Sequence, residues 1–400
     1  MGALLKGNGR AMAAEALREG YVEACEGGER RPLSALLSFL DDVIGSQTQL
    51  SSLILKGNSK NAYPTRLDDG DLEALLKGMR KAGDVALREF DLSWNVISDH
   101  GIGILMDYLR EFDNVIALRL SHNNFGIEGA KRIAEAINDC QSLSHLFLDG
   151  NKIEDRGGLI LVEKLARNTS LRTISLGCMD LGHQTFTMLG KVLTQNNSIT
   201  TLNIDRPILF SCQEESIYHL ASGLKLNKTL RSLSIKNAGL RDHGCFLLCD
   251  NLMLNETLTE LDLSSNRLSE ISGQYIHNLL KKDLNLMRLK LSCNKLCDRG
   301  CEVLAQALPA SSIVELDISY NEIGSQGIEA LSVAIAHSTR LKMLCIWGNH
   351  LDSSSLQSYI AACNNCRSLS YTDVLMQIVD GEANAVRRIE PEDYYFPGLV

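Results

Sequence analysis

Apolar residues return along most of this chain in one fixed order, Leu-x-x-Leu-x-Leu-x-x-Asn-x-Leu/Ile. One copy is Leu258, Leu261, Leu263, Asn266 and Leu268, and the next is Leu286, Leu289, Leu291, Asn294 and Leu296. Aligned on the Asn position, the units fall at Asn58, Asn95, Asn123, Asn151, Met179, Pro207, Ala238, Asn266, Asn294, Asn321 and Asn349. From Asn95 onward the spacings are 28, 28, 28, 28, 31, 28, 28, 27 and 28 residues. The alternation around the central leucines predicts a short strand, with intervening residues on the opposite face. The second half of each unit, as in Asp155 to Asn168, spaces its apolar residues for a helix and ends polar.

A period of this length with this order is the leucine-rich-repeat signature. It predicts an α/β solenoid, a horseshoe of about eleven repeats with a parallel sheet on the concave side and helices on the convex side. A unit of 28 residues has room for a full helix, which favours the ribonuclease-inhibitor type. The leucines point into the slab between strand and helix, and one unit alone cannot bury them. The Asn amide donates to and accepts from turn backbone groups that would otherwise be unpaired, so stacked units predict an asparagine ladder. Gly recurs six residues after the ladder position at Gly101, Gly129, Gly157, Gly244, Gly300 and Gly327, where a missing side chain lets neighbouring helices approach. Four sequon-like triplets begin at Asn168, Asn196, Asn227 and Asn255. All share one repeat position, and helix termination accounts for them.

The pattern sets boundaries: residues 1–45 as an N-terminal segment with a capping helix at Leu33–Val43, 46–352 as the solenoid, and 353–400 as a cap helix and tail. Residues 1–32 read as an end segment with a possible helix at Ala11–Ala24. The 37 residues from Asn58 to Asn95 imply an insertion around Ser59–Asp71. One last helix is expected at about Ser354–Ala362, followed by a tail with Tyr371, Tyr394, Tyr395 and Phe396 that folds back over the last apolar layer.

Three features are candidate partner sites. Met179, Pro207 and Ala238 lack the ladder Asn, and the long spacing lies among them. Proline cannot donate a backbone hydrogen bond, so the segment carrying Arg206, Pro207, Phe210, Glu214 and Glu215 should depart from the regular turn, as a binding bulge or a change of curvature. Glu89/Asp91, Glu260/Asp262 and Glu315/Asp317 form acidic pairs at outward strand positions, interrupted by Arg119, Lys236, Arg288 and Lys290. They recur with the repeat and are expected to lack a pocket or an accompanying His, so solvated or partner-facing charge is the better reading than acid–base catalysis. Met343, Cys345 and Trp347 make the outward face of the last strand apolar, as a contact for a partner or for the tail.

Charge and cysteine content narrow the function classes. With 40 Lys and Arg against 49 Asp and Glu, the formal charge of -9 disfavours direct nucleic-acid binding. No run of about 18 apolar residues predicts a membrane span. Residues 1–17 lack a continuous apolar core, and Lys6 sits where a myristoylation motif wants Ser or Thr, so the chain reads as intracellular and soluble. Its 12 cysteines are then expected as free thiols. Cys293, Cys297 and Cys301 fall in a strand end, a turn and a helix, and Cys363/Cys366 is a single CxxC, so neither forms a metal site on spacing alone. No cofactor is expected.

Arg206 to Glu215, Ile346-Trp-Gly-Asn349, Thr372-Asp-Val374, Val379-Asp-Gly381 and Tyr394-Tyr395 resemble the leucine-rich repeat-containing protein 34 family, with the likeness running from about Leu50 to Pro397. The resemblance implies a non-enzymatic protein scaffold associated with germ and stem cells, with nucleus and nucleolus, or with the cytoplasmic axoneme of motile cilia as a radial-spoke component. Its partners would be axonemal or nucleolar proteins. Two other readings share the repeat type: a GTPase-activating protein resembling the Ran activator, which typically ends in an acidic tail, and a ribonuclease-inhibitor-like blocker of a cationic ligand.

Overall fold

A computed structural model of the chain describes residues 4–46, 48–58, 66–83, 85–209, 214–282 and 285–388. Two compact units make up the chain, residues 1–208 and 209–400.

Unit 1 opens with two helices, α1 (Leu4–Gly27) and α2 (Ser34–Ser46). Strands and helices then alternate: β1 (Ser52–Ile54), α3 (Asp69–Ala82), β2 (Glu89–Asp91), α4 (Asp99–Glu111), β3 (Ala117–Arg119), α5 (Ile127–Ala136), β4 (His145–Phe147), α6 (Glu154–Leu165), β5 (Thr173–Ser175), α7 (His183–Leu193) and β6 (Thr201–Asn203). The strands pair in parallel and in sequence, with Phe90, Leu118, Leu146, Ile174 and Leu202 in one register row. The N-terminal segment is more structured than composition suggests. Ala14, Leu17, Tyr21 and Cys25 form a buried stripe at helical spacing on α1, which packs against α3. The Tyr21 hydroxyl accepts the Leu33 N–H at 3.0 Å. Arg30 ties this end to the solenoid through Asp68 and Asp71, which form the capping box of α3. The expected insertion 59–71 lies partly outside the described residues, and its end becomes the start of α3.

Unit 2 comprises α8 (Glu214–Leu226), β7 (Ser232–Ser234), α9 (Asp242–Leu252), β8 (Glu260–Asp262), α10 (Glu270–Lys281), β9 (Arg288–Lys290), α11 (Cys297–Ala307), β10 (Glu315–Asp317), α12 (Ser325–His337), β11 (Met343–Cys345) and α13 (Ser353–Asn365). Here too the strands are parallel and in register. The repeat does not stop at β11. A twelfth strand, β12 (Tyr371–Thr372), pairs with it, and a hairpin of β13 (Val374–Val379) and β14 (Glu382–Arg387) follows.

Leu261, Leu263, Leu291 and Leu344 have no solvent exposure, as the slab model requires. Three polar ladders stitch the repeats. The Asn266 amide donates to Ile235 O and Leu263 O at 2.9 Å each, and its oxygen accepts from the N–H groups of Ala238 and Leu240. Buried Asn168, Asn196, Asn227 and Asn255 close the helix ends. Asn255 donates to Leu224 O at 2.6 Å and accepts from Leu258 N at 2.8 Å. The third ladder was not legible as such: Asp99, Asp155, Asp242 and Asp298 each accept N–H groups at the start of the next helix, as Asp99 does from Gly126 and Gly129 at 2.7 Å. A Cβ on Gly129 would stand 2.8 Å from the Asp99 carboxylate, and Gly101 and Gly327 meet Asp69 and Asp298 in the same way, whereas Gly157 is closed in by Ile153 and Gly300 by the Glu270 backbone.

From Asn95 onward the backbone turns left-handed just before each ladder position, at Trp94, His122, Gly150, Cys178, Arg206, Asn237, Ser265, Cys293, Tyr320 and Gly348. The turn therefore persists at Met179, Pro207 and Ala238, where the Asn is missing.

Candidate protein-binding face

On unit 2 the outward positions of β8, β9 and β10 bring Glu260, Arg288, Lys290 and Glu315 side by side, because the parallel register sets Glu260, Arg288 and Glu315 opposite one another. Arg288 Nε lies 3.5 Å from Glu260 Oε2 and 4.0 Å from Glu315 Oε2, and Lys290 Nζ lies 3.9 Å from Glu260 Oε1. These are ion contacts without hydrogen-bond geometry. The Arg288 Nε and Glu315 Oε2 atoms are buried and have no hydrogen-bond partner among the described residues. Burial holds the Glu315 carboxyl above its usual range; Arg288 opposes this, Glu260 reinforces it, and Lys290 opposes it. Beside this row a small concavity of about 80 Å³ is lined by Arg288, Lys290, Glu315, Asp317, Met343 and Cys345.

The acidic pairs are not pairs of equivalent surface charges. In each, the Glu is half-buried at the surface while the Asp closes the strand end through a backbone N–H. Asp91 and Asp262 are 1 % and 3 % exposed, and Asp91, Asp262 and Asp317 each accept the N–H two residues on, from Ser93, Ser264 and Ser319 at 3.0 Å. Lys236 Nζ stands 3.3 Å from Asp262 Oδ2. Asp262 is thus a turn-closing residue, buried on the outward face of the strand beneath Lys236. Asp317 combines both roles, since it also borders the concavity.

Met343 and Trp347 are half-buried and Cys345 is buried. The tail accounts for part of this. Tyr371 and Thr372 pair with Met343 and Leu344, and the Asp373 carboxylate accepts the N–H groups of Ile346 at 2.8 Å and Trp347 at 3.0 Å. The tail aromatics Tyr394, Tyr395 and Phe396 lie outside the described residues.

The Arg206 segment spans the boundary of the two units, and residues 210–213 lie outside the described residues. Arg206 is exposed with φ 53°, Pro207 is half-buried, and both end unit 1. Phe210 lies outside the described residues. Glu214 begins α8 in unit 2, and Glu215 is exposed on it. A patch that the repeat pattern did not reveal is the Trp94–His122 stack on unit 1, with ring centroids 3.7 Å apart and planes at 20°. The signal available was the position: both precede a ladder Asn. On the same unit Arg119 sits 4.2 Å over the Phe147 ring and 3.3 Å from Glu89. No helix among the described residues is long and apolar enough to cross a membrane.

Sequence comparisons find the same repeat. A family model described as Leucine Rich repeat matches residues 86–103, 114–134, 254–274, 282–305 and 310–332. The chain is 30% identical over 214 residues to leucine-rich repeat-containing protein 34 of Mus musculus, an alignment covering 46% of this chain and 45% of that protein. It is 25% identical to the ribonuclease inhibitor of Sus scrofa, over 71% of this chain and 62% of the inhibitor. To NACHT, LRR and PYD domains-containing protein 12 of Mus musculus it is 29% identical, over 85% of this chain but 29% of that protein. The chain thus spans less than two thirds of each of these relatives. Among solved structures, an internalin of Listeria monocytogenes aligns at TM-score 0.44 and 15% identity over 90% of this chain and 95% of that one. Repeat sequence, strand–helix alternation and asparagine ladder together make each unit a stretch of leucine-rich-repeat α/β solenoid, a fold that generally serves as a non-enzymatic protein-binding module.

Proposed function

We propose that this protein is a non-enzymatic scaffold subunit that docks a partner protein on the unit 2 strand face carrying Glu260, Arg288, Lys290, Glu315, Met343 and Trp347. One observation carries the reading. Arg288 and Glu315 hold opposite charges 4.0 Å apart beside a concavity, with a buried donor and acceptor left without hydrogen bonds. Buried polar atoms are ordinarily satisfied, and a partner's polar side chain would satisfy both. Cationic and anionic groups alternate there, so the face selects a partner by charge pattern. The assembly we infer is the ciliary axoneme, with the nucleolus as the other address; both rest on the resemblance to the leucine-rich repeat-containing protein 34 family. The expected result is retention of the wild-type chain with salt-washed axonemes of ciliated cells and release of Arg288→Glu/Lys290→Glu, with both proteins melting alike in isolation. An exclusively nuclear pool would remove the axoneme, and equal retention of the charge variant would remove the face.

A ribonuclease-inhibitor-like blocker is the second reading, supported by the identity to the porcine inhibitor. It predicts that the purified chain inhibits a pancreatic-type ribonuclease. Stimulation of a small GTPase in a single-turnover hydrolysis assay would instead overturn the scaffold reading in favour of a GTPase activator.

A further inference from the structure

The hairpin β13–β14 is built like a strand pair that belongs in a larger sheet. Its turn is tight: Asp380 and Gly381 both have positive φ, at 52° and 84°, as a two-residue type I′ hairpin requires. Five large apolar residues lie exposed in this short stretch: Leu375 at 45%, Met376 at 39%, Ile378 at 58%, Val379 at 46% and Val386 at 37%. They occupy both faces, since Leu375 and Val379 alternate with Met376 and Ile378 along one strand. A two-stranded hairpin is marginal by itself in water, and a long apolar edge strand is a template for pairing.

β14 lies against α13, where Ser353 Oγ donates to Ala383 O at 2.9 Å. Among the described residues β13 has a strand on one side only. Its register fixes which backbone groups face the open side. Arg388 N donates to Asp373 O at 2.8 Å, and Asp373 and Arg388 extend the pairing of Val374 with Arg387. Hydrogen-bonded and non-hydrogen-bonded pairs alternate in an antiparallel ladder. Leu375, Gln377 and Val379 therefore bond to β14, while Val374, Met376 and Ile378 present their N–H and C=O groups outward.

We infer that β13 pairs antiparallel with β13 of a second copy of this chain, about a two-fold axis at Gln377, to make a four-stranded sheet. The outward residues allow this register. Met376 and Ile378 face Ile378 and Met376 of the second copy as hydrogen-bonded pairs, and Leu375 faces Val379. Gln377 faces its own counterpart. A carboxamide donates and accepts at once, so it complements itself across a two-fold axis. Val374–Val379 contains no charge and no proline, so self-pairing opposes no like charges. The hairpin is distinct from the charged face of the proposed function, so either can fail alone.

Sedimentation equilibrium of the full chain over a concentration series tests the pairing. A concentration-dependent dimer is expected. Met376→Pro removes an outward N–H without taking a hydrogen bond from the hairpin, and it should abolish the dimer. Gln377→Glu and Gln377→Lys should each be monomeric and should associate when mixed. Under mild oxidation Gln377→Cys should crosslink between copies at least ten-fold faster than Leu375→Cys, which faces Val379. A full chain that stays monomeric at the highest concentration reached overturns the inference. If deletion of residues 389–400 then releases dimerisation, the chain's own end is the occupant instead. A dimer that survives both Met376→Pro and the charged Gln377 variants, with no preferential Gln377→Cys crosslink, also overturns it.

Discussion

A single residue in this fold answers for a contact in the next repeat, and Asp155 shows how. Burial alone would raise its carboxyl, but hydrogen bonds from the Thr185 hydroxyl and N–H, then from the Gln184 and Gly182 N–H groups, outweigh this and hold it below the usual range. Asp242 is lowered in the same way by Ser269 and Ser272. A carboxyl whose folded value lies below its unfolded value stabilises fully above the unfolded value, about pH 4, and loses that contribution as pH falls through the folded value. Asp155→Asn should lower stability by about 1–3 kcal/mol at pH 7. It should also flatten the loss of stability below about pH 4, as urea titrations at several pH values would register. Glu315 carries the opposite sign: its raised carboxyl binds protons more readily in the fold, so its contribution is intact below the unfolded value and is lost as pH rises through the raised folded value. Glu315→Gln should leave the melting temperature at pH 7 unchanged or higher; a fall would show that its ion contacts outweigh its burial. Gly348 is decided by backbone and space together. Its φ is 79°, and a Cβ there would stand 2.2 Å from Tyr320 Cδ1. Gly348→Ala should cost about 1–3 kcal/mol. Tyr320→Ala in the same chain should restore only the steric part, and full restoration in a double-mutant cycle would show that the left-handed turn is not strained.

At the scale of the element, the sequence was legible wherever a residue type repeats with the period. Leu261, Leu289 and Leu316 could be assigned to the slab because their neighbours two and three residues away repeat with them. The Asn ladder was legible because an amide at a strand exit has one good use. Asn294→Ala removes donors to Leu263 O and Leu291 O and the acceptor for Leu268 N, so calorimetry should find a loss of about 1–3 kcal/mol, and an unchanged melt would sink the ladder. Roles that depend on direction were not legible. Glu260 and Asp262 look alike as alternating acids, but the shorter Asp side chain accepts the N–H of Ser264 and is buried beneath Lys236. β12 was missed because Tyr371 and Thr372 carry no leucine motif; they pair because β11 leaves its edge open. The β13–β14 hairpin had a signal, Asp380–Gly381 between apolar runs, that aromatic residues nearby obscured.

For the molecule as a whole, the question is how a repeat array ends. Each repeat covers the apolar layer of the one before it, so the last layer needs something that is not a repeat. At the C-terminal end of unit 2 that layer contains Leu344, Ile346, Leu356 and Tyr359, all without solvent exposure. β12 closes the edge of β11, Thr372 Oγ1 meets the Tyr359 hydroxyl at 2.6 Å, and Asp373 takes the N–H groups of Ile346 and Trp347. Tyr371, Thr372 and Asp373 thus cap this layer on the strand side, Tyr371 being one of the tail aromatics expected there, and the hairpin packs on α13. Removing residues 371–400 should open the β11 edge and lower the melting temperature, by an amount equivalent to a few kcal/mol at roughly 25 cal/mol per Å² of apolar surface exposed. With Trp94→Phe in place, Trp347 emission should shift to the red, since its backbone anchor and the neighbouring strand are gone. Removing only residues 374–400 leaves Tyr371, Thr372 and Asp373, and it should retain most of the stability and the blue-shifted emission. If the shorter deletion costs as much as the longer one, the hairpin and not β12 is the cap.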